Sequence, residues 1–152
     1  MDLVRLFKLQ RALDVYMAKE YNGEPKQMLT KKTLLLLCNV GEVSNELGKW
    51  PTYRLERVLK KYIEGLQLIL SLGIDLGIDR NFLFYNCKLH NENLTELLFI
   101  IYEKTIILHN QPIIINYIEL ITVYIHFGLM FDPDKKEIEK AYLDNYLKHM
   151  KL

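Results

Sequence analysis

The sequence predicts an all-α fold, a helical bundle of about six helices, and three observations lead to it. The chain of 152 residues contains only four Pro and seven Gly, so long segments run without a breaker, which favours helix over a turn-rich β fold. Apolar residues recur at spacings of three and four. Residues typical of helix caps stand at the starts of these segments. Half of the residues are hydrophobic, as expected for a single domain over 1–152 with a sizeable core.

The first two predicted helices lie on either side of a turn-forming segment. The first runs from about residue 3 to residue 20 and is ended by the Asn-Gly-Glu-Pro sequence at 22–25, because Gly and Pro interrupt helices. The second runs from about 31 to 48, with Thr30 as its N-cap. Leu36, Val40, Val43 and Leu47 line one face of this second helix.

The third predicted helix follows the break at 48–51 and runs to about residue 76, with Thr52 as its N-cap. Glycine inside it weakens the helix and can also allow a neighbouring helix to approach closely. Residues 78–90 are predicted to be a connector.

Three more helices complete the predicted bundle. Asn91 or Asn93 starts the fourth, which runs to about residue 109. Pro112 suits the first position of the fifth. For the sixth, Asp132 is the predicted N-cap and Pro133 the first helical residue, with the helix running to about 149.

Composition and charge exclude several classes of protein. The net charge of +1 gives no basic surface for nucleic acid. The N-terminus lacks the apolar core of a signal peptide, and Glu119 in the apolar stretch 113–131 disfavours a membrane span. Cys38 is expected to pack as a small core residue, and two isolated thiols, Cys38 and Cys87, suggest no disulfide framework. We therefore expect a cytoplasmic protein without a membrane partner.

Two predicted helices carry polar residues on one face beside an apolar stripe, since residues three or four apart share a helical face. They are Asn39, Glu42 and Glu46 on the second helix, and Lys61, Glu64 and Gln67 on the third. The short connection makes these helices antiparallel neighbours. The two polar edges then either face each other across a cleft or are ordinary solvated surfaces, and from spacing alone the second case is the more common.

Three stretches resemble the all-α dimeric dUTPase family, within the MazG-like group of all-α NTP pyrophosphohydrolases. Residues 6–14, LFKLQRALD, are similar to the family's Gln-x-x-Leu-Asn/Asp segment. Residues 31–46, KKTLLLLCNVGEVSNE, are similar to its helix ending in Glu-Leu-Gly-Glu-Leu-Ala-Asn-Glu. Residues 59–73, LKKYIEGLQLILSLG, resemble Leu-Glu-Glu-Tyr-Val-Asp-Gly-Leu-His-Phe-Ile-Leu-Ser-Leu-Gly. The chain is identified as a divergent member of this family of phages and Gram-positive bacteria.

The resemblance implies a homodimer that splits dUTP into dUMP and pyrophosphate, with Mg²⁺ held by Glu-x-x-Glu and Glu-x-x-Asp pairs. Carried onto this chain, the metal ligands are Glu42, Glu64 and, weakly, Asn39, and the catalytic acids are Glu42, Glu46 and Glu64. The substrate-binding residues implied in the same way are Gln10, Asp14, Trp50, Lys61, Gln67 and Asn145, with Gln10 on the uracil side.

Lys61 is the main departure from the family pattern. Asn39 and Glu42 stand at the positions of the first pair, and Lys61 and Glu64 at those of the second. An ammonium group has three donors and no acceptor, so Lys61 cannot bind a metal. The four residues sum to a charge of about −1 instead of the family's about −4. Such a site is expected to bind Mg²⁺ far more weakly. The alternative is that Lys61 pairs with Glu42 or Glu64 and so replaces the metal's positive charge. Two hypotheses follow: a dUTPase-like enzyme that uses Mg²⁺, with activity weakened or lost, or a non-catalytic nucleotide- or protein-binding regulator on the same scaffold, without a cofactor.

Overall fold

The computed structural model describes residues 1–19, 25–49, 52–78, 92–132 and 134–152, and in these ranges the chain is helical without strands. The predicted all-α class is therefore confirmed. The six helices of the described ranges are α1 (Leu3–Ala18), α2 (Pro25–Leu47), α3 (Leu55–Asp75), α4 (Leu94–Asn110), α5 (Ile114–Leu129) and α6 (Lys136–His149).

Helix α3 lies at the centre of the bundle, in contact with α1, α2, α5 and α6. Its apolar residues are the most deeply buried stretch of the chain, with Val58, Tyr62, Leu66 and Ile69 all inaccessible to solvent. Helix α2 runs antiparallel to α3, as expected. Lys32 near the start of α2 pairs with Asp75 at the end of α3, and Glu42 pairs with Lys61 further along.

The contact between α3 and α5 consists of tyrosines that pack over glycines. The hydroxyls of Tyr62 and Tyr124 each donate to the other's backbone carbonyl, at 3.0 and 2.8 Å, and their rings stack with centroids 4.7 Å apart. A third hydroxyl, that of Tyr117 on α5, donates to the carbonyl of Ile69. Tyr117 lies directly over Gly73 of α3. The structure therefore shows here the close approach to a helical glycine that the sequence offered as a possibility.

This contact depends on three glycines, because a Cβ atom at any of them would overlap a tyrosine hydroxyl. The three are Gly65 under Tyr124, Gly73 under Tyr117 and Gly128 under Tyr62. Because glycine has no side chain, the tyrosine hydroxyl of the facing helix can reach the backbone carbonyl about one turn before each glycine.

The helix starts agree with the predictions only in part. Asn93 caps α4 in a complete capping box, in which its side chain accepts from Glu96 N and the Glu96 carboxylate accepts from Asn93 N. The predicted cap at Thr30 is wrong, since α2 already starts at Pro25 and Thr30 lies within it. Thr52 is not a cap either, because its hydroxyl donates to the carbonyl of Lys49 and α3 starts at Leu55.

The starts of α5 and α6 lie beyond the predicted positions. Helix α5 starts at Ile114 rather than at Pro112, and α6 starts at Lys136 after Lys135, whose φ of 60° is left-handed. Asp132 is not the N-cap by position. Its buried carboxylate nevertheless accepts from Ile138 N in the first turn of α6, so it performs part of a cap's function from further upstream.

Some predictions on individual residues are wrong or lie outside the described ranges. Cys38 is exposed and free rather than packed in the core. The predicted connector at 79–90, Cys87 and Pro133 lie outside the described residues. None of the described helices has the length and apolar character needed to cross a membrane.

Candidate functional site

Lys61 of α3 links two carboxylates that come from two different helices. Its Nζ atom lies 2.7 Å from Glu42 Oε2 on α2 and 3.3 Å from Glu64 Oε2 one turn along α3. The three side chains are partly exposed, from 29 to 46%. The structure therefore shows both pairings of Lys61 that the sequence offered as alternatives.

The two carboxylates keep Lys61 in its charged form. The hydrogen bond to Glu42 raises the pKa of the ammonium group, and the bond to Glu64 acts in the same direction. Partial burial opposes this effect without reversing it. Lys61 is therefore a permanent cation at neutral pH, held between two anions.

The residues at this place do not fit a magnesium ion. Mg²⁺ requires oxygen ligands in near-octahedral geometry, and an ammonium supplies none. Within the described ranges, no group of three or more His, Cys, Asp or Glu could hold a metal ion. Lys61 Nζ instead occupies the space between Glu42 and Glu64 that a shared metal would need.

Glu46 lies one turn beyond Glu42 on α2 and is held by a different cation. Its Oε1 accepts from Lys49 Nζ at 2.9 Å, and this bond lowers the pKa of the Glu46 carboxyl. Its Oε2 is buried and has no hydrogen-bond partner in the described part of the chain. Asn39, one turn before Glu42, is half-buried.

Gln67 continues the same face of α3 one turn beyond Glu64 and contacts α6. Its Oε1 accepts from Asn145 Nδ2 at 3.2 Å. Gln67 is 9% exposed, and its Nε2 is buried without a partner among the described residues. We call six residues on successive turns of α2 and α3 and on α6 the polar site: Asn39, Glu42, Lys61, Glu64, Gln67 and Asn145.

Gln10 and Asp14 of α1 belong to a buried chain of hydrogen bonds beside the polar site. Tyr142 donates to Gln10 Oε1 and Gln10 Nε2 donates to Asp14 Oδ1, each at 2.8 Å. Ser71 of α3 donates to the other carboxylate oxygen, at 2.8 Å. Burial raises the pKa of Asp14, although the bonds from Gln10 and Ser71 oppose that shift.

The structure thus brings most of the predicted site residues together around α3, while Trp50 lies outside the described residues. Three partners were not predicted: Lys49, Ser71 and Tyr142. For Ser71 a signal was available, because it is the one polar residue in the run Leu68–Leu72 and lies one turn from Gln67. The partner of Tyr142 is 132 positions away in sequence, which no local pattern reveals.

The sequence of this chain also matches a known protein family. A family model described as dUTPase matches residues 2–151. The chain belongs to the all-α dimeric dUTPase family. The match covers all six helices of the described ranges, so the family resemblance found in three stretches extends over the whole bundle. No curated protein and no solved structure shows a significant match to this dUTPase-family chain.

Proposed function

We propose that this dUTPase-family protein binds a nucleotide at the polar site and that its hydrolysis of dUTP to dUMP and pyrophosphate is weakened or lost. The observation that carries the proposal is the position of Lys61 Nζ, 2.7 Å from Glu42 and 3.3 Å from Glu64. The family match supports a nucleoside triphosphate as the ligand class.

The chemical argument concerns the charge that develops when a phosphate bond is broken. A divalent ion stabilises that charge and orients an attacking water molecule. Here the positive charge is a single ammonium whose hydrogen bonds go to Glu42 and Glu64. In this state it neutralises carboxylates of the protein rather than phosphate oxygens, so it stabilises the resting site more than the transition state.

Pyrophosphate release from dUTP, with and without Mg²⁺, tests the proposal. The wild-type chain should release pyrophosphate at or near the background rate under both conditions. The double variant Asn39→Glu, Lys61→Glu should gain Mg²⁺ binding, measured by calorimetry, because it brings four carboxylates to the two helices. Asn39→Glu, Lys60→Glu is the matched control, since it makes the same total charge change with the lysine replaced at an exposed neighbouring position, and it should not create a site because Lys61 is still present.

Two results would contradict the proposal. Fast wild-type turnover that a chelator abolishes would show that Lys61 leaves the site and that metal chemistry is intact. A folded Asn39→Glu, Lys61→Glu variant that binds Mg²⁺ no better than Asn39→Glu, Lys60→Glu would show that Asn39, Glu42, Lys61 and Glu64 do not surround one site.

We also infer that the chain forms a homodimer, as its family does. Exposed apolar side chains lie on the neighbouring helices α2 and α4, where a monomer would leave them in water. They are Leu34 and Leu35 on α2 and Phe99 and Ile106 on α4, with Phe99 71% exposed. Light scattering at micromolar concentration should give twice the chain mass of 18.1 kDa, and a monomer would overturn this inference.

A further inference from the structure

A groove between α1 and α6 lies apart from the polar site. Its volume is about 330 Å³, within the range of small-molecule sites in proteins. It uses the side of α6 roughly opposite Asn145, because Lys136 on its rim is two and a half helical turns from Asn145. The groove has an apolar floor and a charged rim. The floor consists of Leu6, Leu9, Tyr142 and Leu143, and the rim of Asp2, Arg5, Lys136, Glu139 and Lys140.

The two carboxylates of the rim are already bonded to groups of the protein itself. Asp2 Oδ1 accepts from Arg5 N as the N-cap of α1. Glu139 Oε1 accepts from Asp2 N at 3.2 Å and lies 3.6 Å from the N-terminal ammonium group. The rim cations, in contrast, form no ion pair among the residues that the structure describes: Arg5, Lys136 and Lys140. The rim therefore offers positive charge that no carboxylate of the described chain neutralises.

The cations and the apolar floor are separated along the groove, because α1 and α6 run parallel. The bond between Asp2 and Glu139 joins the starts of the two helices, and the bond between Tyr142 and Gln10 joins later turns. The rim cations lie near the first of these bonds. Leu143 lies about 10 Å further along α6 than the start of the helix, at a rise of 1.5 Å per residue. The positive ends of both helix dipoles are also at the cationic end.

We propose that this groove binds a small amphiphilic anion, a monocarboxylate with an unbranched alkyl chain. Its carboxylate lies at Arg5 and Lys140, and its chain lies over Leu9 and Leu143. A guanidinium group can hold a carboxylate through two parallel hydrogen bonds. The leucine side chains suit an alkyl chain, since neither surface has polar groups that would lose their hydrogen bonds on burial. An extended chain of about 10 Å, as in octanoate, spans the groove from its cations to Leu143.

Calorimetry with three probes that share one chain tests the proposal on the wild-type protein. The probes are octanoate, octanol and octylamine, which at neutral pH carry a negative, a neutral and a positive head. Octanoate should bind most tightly and octylammonium most weakly, because the rim cations attract the first and repel the last. Hexanoate should bind about tenfold more weakly than octanoate, since two fewer methylene groups are buried.

Two variants separate the roles of the rim and the floor. Arg5→Met, Lys140→Met should lower octanoate affinity about tenfold, the effect of two exposed ion pairs, and should change octanol affinity little. Leu143→Gln should weaken the binding of both probes, because it makes the floor polar. The matched control is Lys8→Met, Lys148→Met, which removes the same charge from exposed positions of α1 and α6 outside the groove and should keep the wild-type affinities.

Three results would overturn the proposal. The first is no binding of octanoate at millimolar concentration. The second is binding of octylammonium as tight as that of octanoate, which would mean that the rim does not select an anion. The third is an equal loss in Lys8→Met, Lys148→Met and in Arg5→Met, Lys140→Met, which would indicate general attraction of anions. Since no nucleotide enters these measurements, failure here leaves the proposed function of the polar site unaffected.

Discussion

Helix α3 presents two faces with opposite chemistry. The face toward α5 is closed by the hydroxyls of Tyr62, Tyr117 and Tyr124, each bonded to a backbone carbonyl of the facing helix. The face toward α2 and α6 carries Lys61, Glu64 and Gln67, and in the polar residues there some atoms have no partner in the described chain. The first face therefore accounts for the positions of the helices, and the second provides groups for binding.

The largest effect is expected where the closed face is disturbed. Gly73→Ala places a methyl group where the Tyr117 hydroxyl and ring now lie, with Phe7 behind them. Tyr117 must then move and lose its bond to the Ile69 carbonyl. We expect a loss of about 2–4 kcal/mol in the free energy of unfolding, measured by denaturant titration.

The control for Gly73→Ala is the same substitution at Gly41 of α2. The added methyl group there meets only the Tyr102 hydroxyl, at 3.1 Å, at a half-buried position. Alanine also favours the helix by up to about 1 kcal/mol relative to glycine, so this variant should be close to neutral. Equal destabilisation by the two substitutions would contradict the special role of the tyrosine–glycine contact.

A smaller and pH-dependent effect is expected beside the polar face, at Asp14 of α1, which is bonded to Ser71 of α3. Burial raises the pKa of this carboxyl above 3.8, so the folded chain binds the proton more tightly than the unfolded chain. This contribution favours folding below 3.8 and is lost as the pH rises through the folded-state pKa. Asp14→Asn cannot ionise, and its melting temperature should exceed that of wild type at pH 7 by on the order of 2 °C.

The advantage of Asp14→Asn should shrink as the pH is lowered through the folded-state pKa of Asp14, because the wild-type carboxyl then becomes neutral as well. Melting curves at several pH values measure this trend. Asp144→Asn, at an exposed position of α6, controls for the removal of one negative charge. A difference from wild type that is constant with pH would mean that the ionisation of Asp14 is not coupled to folding.

The two faces also differ in how far the sequence predicts them. Fold class follows from apolar spacing, and the cap at Asn93 is one of the two starts predicted for the fourth helix, Asn91 or Asn93. The pairing of Lys61 was foreseen because Glu64 is one turn away and Glu42 lies on the neighbouring antiparallel helix. These are short-range relations, which a single sequence contains.

What the sequence does not reveal depends on contacts between distant segments. Tyr117 packs over Gly73, and Gln10 is bonded to Tyr142. In both cases the partners are far apart in sequence, and only the fold brings them together. The prediction of where α2 starts was wrong for another reason. Pro25 and Thr30 are both residue types found at helix starts, and the helix begins at the earlier one. Cys38 was misplaced because its helix exposes Leu34 and Leu35 as well, so apolar neighbours did not mean burial.

The bridge made by Lys61 has a consequence for how the protein responds to its surroundings. A metal ion occupies its site only in proportion to the free concentration of that ion, and it leaves when the ion becomes scarce. A tethered ammonium has a fixed local concentration that neither dilution nor metal starvation lowers. The link between α2 and α3 at Glu42 that the structure shows therefore needs no divalent ion.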